Sequence, residues 1–486
     1  MSAVSLWMTK RQADVLQQHL FPGDGKEAAA VALCGRAMAD GHTKLSIHHI
    51  ECIPHAECHV REYGSLVWPT DRIVPLLYRA DREKLSIVKF HSHPGGYPEF
   101  SRADDRADAD LFESVTAWLP NAPHASVVML PGQCFFGRSF TSNTGPQRLR
   151  LIGVVGDRIN ICPGSPAAPV LGQEATNQIF GAHTTSILGT LRIAVVGTSG
   201  TGSLVIEQLI RSGVAELIVI DDDIILERNL NRIVNATIHD VHAQRAKVSV
   251  VGRTAHLVGL GTKIIALPTS LLTPETIRHV AASDVLFGCV DTALARAIMT
   301  RIATFHTMPY FDLGVRIDAD GSGGIEYAGG VVHYLQPGLS TLQSRNAIDS
   351  ERLRAEWLTL TDPESLERLR GEGYLKGTGT QRPVVMPLNM HIASLAVLEF
   401  FARLHGFRAV KDSDYATHGI AVSHALHFSE PEIPAFGSFA DNVGRGECVP
   451  RLGLPAFEMW LQRHERQHSV MAATGSTGGQ AESAVM

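Results

Sequence analysis

His91, His93 and Asp104, in HSHPGGYPEFSRAD (91–104), have the types and spacing of metal ligands. Two histidines at i and i+2 near a strand end project to one side, so both imidazoles can reach one ion. Asp104, in the first turn of a following helix, can add an oxygen. Two nitrogens and one oxygen leave a fourth position for water, which is the pattern of catalytic zinc. Zinc brings the pKa of that water near neutrality and makes it a nucleophile. Glu27, just ahead of the apolar run AAVALCG (29–35), is the candidate general base. It would take the proton during attack and return it to the leaving amine. Ser101 is the candidate donor to the oxyanion. His48, His49, His55 and His59 have no partner pattern and read as ordinary surface or core residues.

A second constellation begins at RIAVVGTSGTGSLVIEQLIRSGV (192–214), which sets Gly197, Gly200 and Gly202 between an apolar strand and a helix. Glycines let the backbone approach phosphates, and a helix N-terminus favours anions. The next strand ends in acids, IVIDDDIILERNLNR (218–232), with Asn229 and Arg232 downstream. An acid at that strand end can hold a ribose hydroxyl. Arg232 and Lys247 offer positive charge to a triphosphate and to charge developing at its α-phosphorus.

His-x-His-Pro followed by Ser-x-x-Asp, with Glu27 and a strand ending Cys34–Gly35, resembles the JAMM motif of the JAB/MPN zinc metalloproteases. The resemblance implies His91, His93 and Asp104 as zinc ligands, Glu27 as base and Ser101 as oxyanion donor. The glycine turn, Asp-x-Asp, Asn-Leu-x-Arg and Lys, in that order, are similar to the ThiF/MoeB superfamily, the core of ubiquitin-activating enzymes. That resemblance implies Asp221 and Asp223 on the ribose and nucleotide, and Asn229, Arg232 and Lys247 on phosphates. It also implies Asp291, in GCVDT, on magnesium. The implied reaction is attack of a carrier protein's C-terminal glycine carboxylate on the α-phosphate of ATP, giving an acyl-adenylate and pyrophosphate. The implied partners are a ubiquitin-like or sulfur-carrier protein, a conjugating enzyme and a second copy of the chain.

The sequence departs from the second pattern in three places. No C-x-x-C occurs, and PGLSTLQSRNAID (337–349) has hydroxyls where relatives carry zinc-binding cysteines, so this domain is expected to hold no zinc and to rely on packing alone. Cys289 lies in an apolar strand and reads as core. The acyl group therefore has three candidate routes: to Cys448, flanked by Arg445 and Arg451; to a hydroxyl such as Ser340, Thr341 or Ser344; or directly to a partner. EATNQIFG (174–181) lacks the arginine that reaches across the dimer in many relatives.

The elements that must position these residues follow from hydrophobic pattern. Short strands at 29–35, 44–53, 84–93 and 125–132 with a helix at 101–119 predict an α+β domain over 1–155. A Pro/Gly/Ala-rich stretch within 156–173 reads as a linker. Continuous apolar strands alternating with helices predict a Rossmann-like domain with a mostly parallel sheet, covered on both faces, over 174–410. Residues 411–465 read as an appendage and 466–486 as a disordered tail. The fold class expected is thus α/β in two domains. Net charge is −6 across 486 residues, which offers no basic surface for nucleic acid. No run reaches membrane-spanning length, and seven cysteines without a paired pattern suit a reducing cytoplasm. Two rival readings are sulfur-carrier metabolism and a scaffold that only binds the carrier.

Overall fold

The computed structural model describes residues 3–142, 144–164, 181–320, 322, 324–371, 385–434 and 439–463. The first domain is built on a nine-stranded mixed sheet. Its strands are β1 (Ala3–Thr9), β2 (Ala29–Ala39), β3 (His42–Cys52), β4 (Val60–Glu62) and β5 (Ser65–Val67), which form a separate hairpin, then β6 (Ser86–Ser92), β7 (His124–Leu130), β8 (Cys134–Thr141), β9 (Thr144–Arg148), β10 (Leu151–Val155) and β11 (Ile159–Pro163). The sheet order is β11-β10-β1-β3-β2-β6-β7-β8-β9. Three helices accompany it: α1 (Lys10–Leu20), α2 (Val74–Glu83) and α3 (Arg102–Trp118).

The unbroken apolar run of β2 is explained by burial on both faces. Ala30, Ala32 and Cys34 face a core that includes Leu16 and Leu20 of α1. Ala29, Val31 and Leu33 face Leu77 of α2 and Phe112 of α3. Alternation thus puts half of one strand under each helical layer. The sheet continues past residue 155, because β11 pairs antiparallel with β10. The stretch expected as linker at 156–173 therefore begins inside the sheet, and its remainder lies outside the described residues.

The second domain has an eight-stranded sheet in the order β14-β13-β12-β15-β16-β17-β18-β19. The strands are β12 (Arg192–Val196), β13 (Glu216–Ile220), β14 (Lys263–Leu267), β15 (Val285–Gly288), β16 (Tyr310–Ala319), β17 (Ile325–Leu335), β18 (Thr417–Ala421) and β19 (Leu426–Glu430). From β14 to β16 neighbours are parallel; from β16 to β19 they are antiparallel. Part of the expected appendage is thus sheet. Helices used below are α4 (Ala182–Leu188), α5 (Gly200–Arg211), α6 (Lys247–Val258), α7 (Pro274–Ala281), α8 (Ala293–Phe305) and α9 (Met386–His405). The tail read as disordered lies outside the described residues.

The domains meet where the parallel strands begin. Asp284, just before β15, accepts from Trp7 Nε1 at 3.1 Å, Arg150 at 2.7 Å and the Arg192 backbone N–H at 2.8 Å. Lys44 donates to Ser283 O at 2.7 Å. Residues 443–447 are threaded between the domains: Gly35 N–H donates to Gly444 O, Gly446 N–H to Phe305 O, and Glu447 N–H to Arg36 O. Polar groups buried from both sides fix one relative orientation, because sliding would strand them unpaired.

One expectation is corrected here. The second domain does not rely on packing alone in the segment 337–349. Arg345 donates to Ser340 Oγ at 2.7 Å, Tyr334 O at 3.0 Å, Ala416 O at 2.6 Å and Glu432 Oε2 at 2.8 Å, and Ser340 also donates to Glu432. A buried guanidinium ties β17, the 340–345 turn and the chain after β19 together. Arg345→Met would leave the half-buried Glu432 without its cationic partner and is expected to cost about 3 kcal/mol, measured by denaturant unfolding, with added zinc giving no recovery.

Candidate functional site

β6 runs between β2 and β7, with His91 paired to Ala29 on one side and Val128 on the other. His91 is therefore held in mid-sheet and buried, and His93, two residues on, points the same way. Asp104 reaches them from α3. Its Oδ1 lies 3.0 Å from His91 Nε2, its Oδ2 lies 3.4 Å from His93 Nε2, and the two Nε2 atoms are 3.2 Å apart. Ser101 caps α3 reciprocally: its Oγ accepts the Asp104 N–H at 3.1 Å, and Asp104 Oδ2 accepts the Ser101 N–H at 2.7 Å. As an acceptor in the cap, Ser101 keeps its hydroxyl proton to donate. The cap therefore fixes both the Asp104 carboxylate and the Ser101 hydroxyl at the mouth of the triad.

The donor set fits zinc. His93 Nδ1 lies 2.9 Å from Tyr97 O, and a carbonyl can only accept, so the Nδ1 carries the proton and the Nε2 lone pair faces inward. Two inward nitrogens at that spacing need a proton or a cation between them. Burial pushes His91 down to about 4, which favours the neutral, ligand-ready ring. Burial opposes ionisation of Asp104, yet the side chains of His91, His93 and Ser101 hold it well below the usual carboxylate range. Burial pushes the half-buried Glu27 carboxyl up to about 7; His93 opposes this, Asp104 adds to it and Lys89 opposes it. Glu27 is anchored through its backbone N–H, which donates to Glu62 O of β4 at 2.9 Å.

The second cluster sits at the other ends of the parallel strands. Gly197, with φ +91°, turns the chain out of β12 against the residues after β15; a Cβ there would lie 2.5 Å from Cys289 O. A Cβ on Gly202 would lie 1.9 Å from Gly197 O, so the turn closes onto α5 only with glycine there. Asp221, after β13, accepts from Thr198 N–H at 2.8 Å and from its hydroxyl at 3.2 Å. Lys247 donates to Asp223 at 2.6 Å and lies 3.4 Å from Asp221. Asn229 is buried and accepts the Leu226 N–H at 3.0 Å, forming the turn ahead of Arg232. Arg232 donates to Arg228 O at 2.6 Å, and its Cδ lies 3.4 Å from where a Gly200 Cβ would be, beside the first turn of α5. Asp291 is exposed, three residues past the end of β15 and two before α8. Gly197, Gly200, Gly202, Asp221, Asp223, Asn229, Arg232, Lys247 and Asp291 thus all stand at the carboxyl ends of adjacent strands, where parallel sheets bind ligands.

Cys448 is placed elsewhere. Its segment bonds to the Phe305 end of α8, while Asp291 precedes the Ala293 end, roughly 18 Å away along the helix axis. Burial pushes the Cys448 thiol up, with Arg445 opposing, so the flanking arginine does not make a thiolate of it. Cys289 packs against the core, and burial raises its thiol too. Ser340 is buried in the Arg345 network, and Thr341 and Ser344 cap one another through backbone N–H bonds of 3.1 Å and 2.8 Å. Most of EATNQIFG lies outside the described residues. Sequence reasoning missed Thr198, which locks the glycine turn to Asp221, and the Lys89, Asp108 and Arg138 group beneath the triad. The signal for the latter was available: Lys89 stands at i−2 from His91 and Asp108 at i+4 from Asp104.

Comparison with known proteins gives two family matches. The model of the ThiF family matches residues 172–437, and that of prokaryotic homologs of the JAB domain matches residues 9–140. A SAMP-activating enzyme E1 of Haloferax volcanii is 31% identical over 120 residues, covering 24% of this chain and 43% of that protein. Ubiquitin-like modifier-activating enzyme 5 of Culex quinquefasciatus is 26% identical over 158 residues, covering 30% of this chain and 37% of that protein. The chain thus spans less than half the length of these curated relatives. The solved structure of E. coli MccB with MccA-N7isoASN aligns over 52% of this chain and 69% of that one, at 16% identity and a TM-score of 0.41. Among the described residues no helix is long and apolar enough to cross a membrane.

Proposed function

The chain belongs to the ThiF family, and on that premise we propose that it adenylates the C-terminal glycine of a ubiquitin-like carrier protein with one domain and hydrolyses the bond after that glycine with the other. The observation that carries the reading is the convergence of His91, His93 and Asp104 in one domain of a chain whose other domain gathers a glycine turn, two acids and a lysine at its strand ends. We read the metallopeptidase domain as ending with β11 and the adenylating domain as beginning by α4. A conjugating enzyme and a second copy of the chain are the further partners proposed.

In the first centre zinc would supply the Lewis acidity that activates a water, held by His91, His93 and Asp104. Glu27 would accept the proton of the attacking water and deliver it to the departing amine. The Ser101 hydroxyl would donate to the oxygen that becomes negative at the tetrahedral carbon. In the second centre the carrier's carboxylate oxygen forms a bond to the α-phosphorus of ATP as the bond to the pyrophosphate oxygen breaks. Asp291 would hold magnesium. Lys247 would exchange its Asp223 contact for a phosphate, and Arg232 would face the same charge from the first turn of α5. Little covalent chemistry falls to the protein, so positioning and charge do most of the work.

Glu27→Gln tests the first half. The amide is isosteric and cannot take a proton. Hydrolysis of an extended carrier is expected to fall by roughly 10²–10⁴ while zinc content stays at the wild-type level. Retained hydrolysis in that variant would remove Glu27 from the mechanism.

A further inference from the structure

β6 and α3 are joined by two successive contacts of the same kind. The upper one is His91 to Asp104, 3.0 Å apart. The lower is Lys89 to Asp108, 2.5 Å apart, with side chains 7% and 1% exposed. Lys89 precedes His91 by two residues on the same face of the strand, and Asp108 follows Asp104 by one helical turn on the same face of α3. Asp108 also accepts from Arg138 of β8, at 3.0 Å from Nε and 2.7 Å from the terminal nitrogen. The Arg138 guanidinium lies 3.9 Å over the ring of Phe100, the residue before the Ser101 cap. Phe100 in turn meets His91, and Phe136 of β8 meets both Phe100 and His93. One fully buried carboxylate therefore ties together the strand that carries both histidines, the helix that carries Asp104 and the strand that backs His93.

From this we infer that Lys89 and Asp108 are positioning residues for the metal centre: they fix the spacing of β6 and α3 so that the three ligand atoms stand converged before an ion arrives. The inference rests on the zinc reading above. A buried ion pair is a poor device for stability, since apolar residues of similar volume often replace one without loss. It is a good device for register, because a shift of either element would strand a charge in the core. Groups that orient metal ligands typically contribute 10- to 100-fold in metal affinity.

The test uses the full chain and three variants. Asp108→Asn breaks the pair, K89M/D108L replaces it with apolar side chains while Arg138 keeps Asp105 and Phe100, and Lys89→Arg preserves it. Zinc affinity is measured by competition with a chromophoric chelator, and ligand geometry by the visible absorption of the cobalt(II) form. D108N and K89M/D108L are expected to bind zinc 10- to 100-fold more weakly with an altered cobalt spectrum. K89R is expected to bind near wild type. If D108N fails to fold, the apolar double variant decides. Wild-type affinity and spectrum in the double variant would overturn the inference, leaving the pair as core filling. Failure of the wild-type chain to bind zinc or cobalt would instead overturn the metal reading, and the inference with it.

Discussion

Asp291→Ala is expected to reduce carrier-dependent ATP–pyrophosphate exchange by roughly 10²–10³ and to leave zinc content and hydrolysis unchanged. Asp291 is exposed just beyond the end of β15, so its removal opens no cavity and strands no buried partner. It stands beside the residues against which Gly197 turns, next to the place the glycine turn leaves for phosphate. The loss should therefore be catalytic and not structural, visible as lost exchange with an unchanged unfolding midpoint. Lys247→Ala is a less clean probe, because Lys247 is buried against Asp223 and Asp221, and its loss would leave two acids facing one another. Hydrolysis should be untouched for a geometric reason. The triad lies at the Ala29 end of β2, whereas the second domain docks from about Gly35 onward and carries its own cluster at the far ends of its strands. Exchange at the wild-type rate in Asp291→Ala would place the magnesium site elsewhere.

His91→Ala is expected to lower zinc affinity by more than ~100-fold, since it deletes a ligand outright where a supporting partner alone contributes 10–100-fold. Zinc measured by elemental analysis should fall from one ion per chain to a trace, and processing of an extended carrier should vanish with it. His91 is fully enclosed between β2 and β7, so some loss of thermal stability should accompany the change. His93→Ala, nearer the mouth, provides the control: it should lose zinc to a similar degree with a smaller effect on unfolding. Pyrophosphate exchange should persist in both, because the adenylating cluster shares no side chain with the triad. Full zinc in both variants would mean that the ion, if held, sits on other residues.

The placement of the candidate residues was legible in sequence where it depends on short spacing. His-x-His at a strand end fixes both imidazoles on one face, and Ser-x-x-Asp is itself the reciprocal cap that starts α3, so local rules sufficed. The glycine turn was legible for the same reason: Gly197 and Gly202 are demanded by a positive φ and by contact with a carbonyl within five residues. Long-range pairing was not legible. β1 lies parallel to β10, and nothing in MSAVSLWMT signals a partner about 145 residues on. The same holds for 443–447, which reads as loop by composition and proves to be the seam between domains. Charged residues misled most. Arg345 and Glu432 look like surface in sequence, yet they form the largely enclosed tie of a region expected to depend on packing. Arg445 and Arg451 suggested an activated Cys448, yet burial outweighs the pull of Arg445 and raises the thiol.

The most direct test of a chain with two centres acting on one carrier is the intact mass of that carrier, made with residues beyond its terminal glycine and incubated with the zinc-loaded chain. Without ATP it should lose the extension and end at glycine. With ATP and magnesium the shortened carrier should gain the mass of an AMP group, and the full-length form should not. A carrier whose mass is unchanged under both conditions would contradict the account.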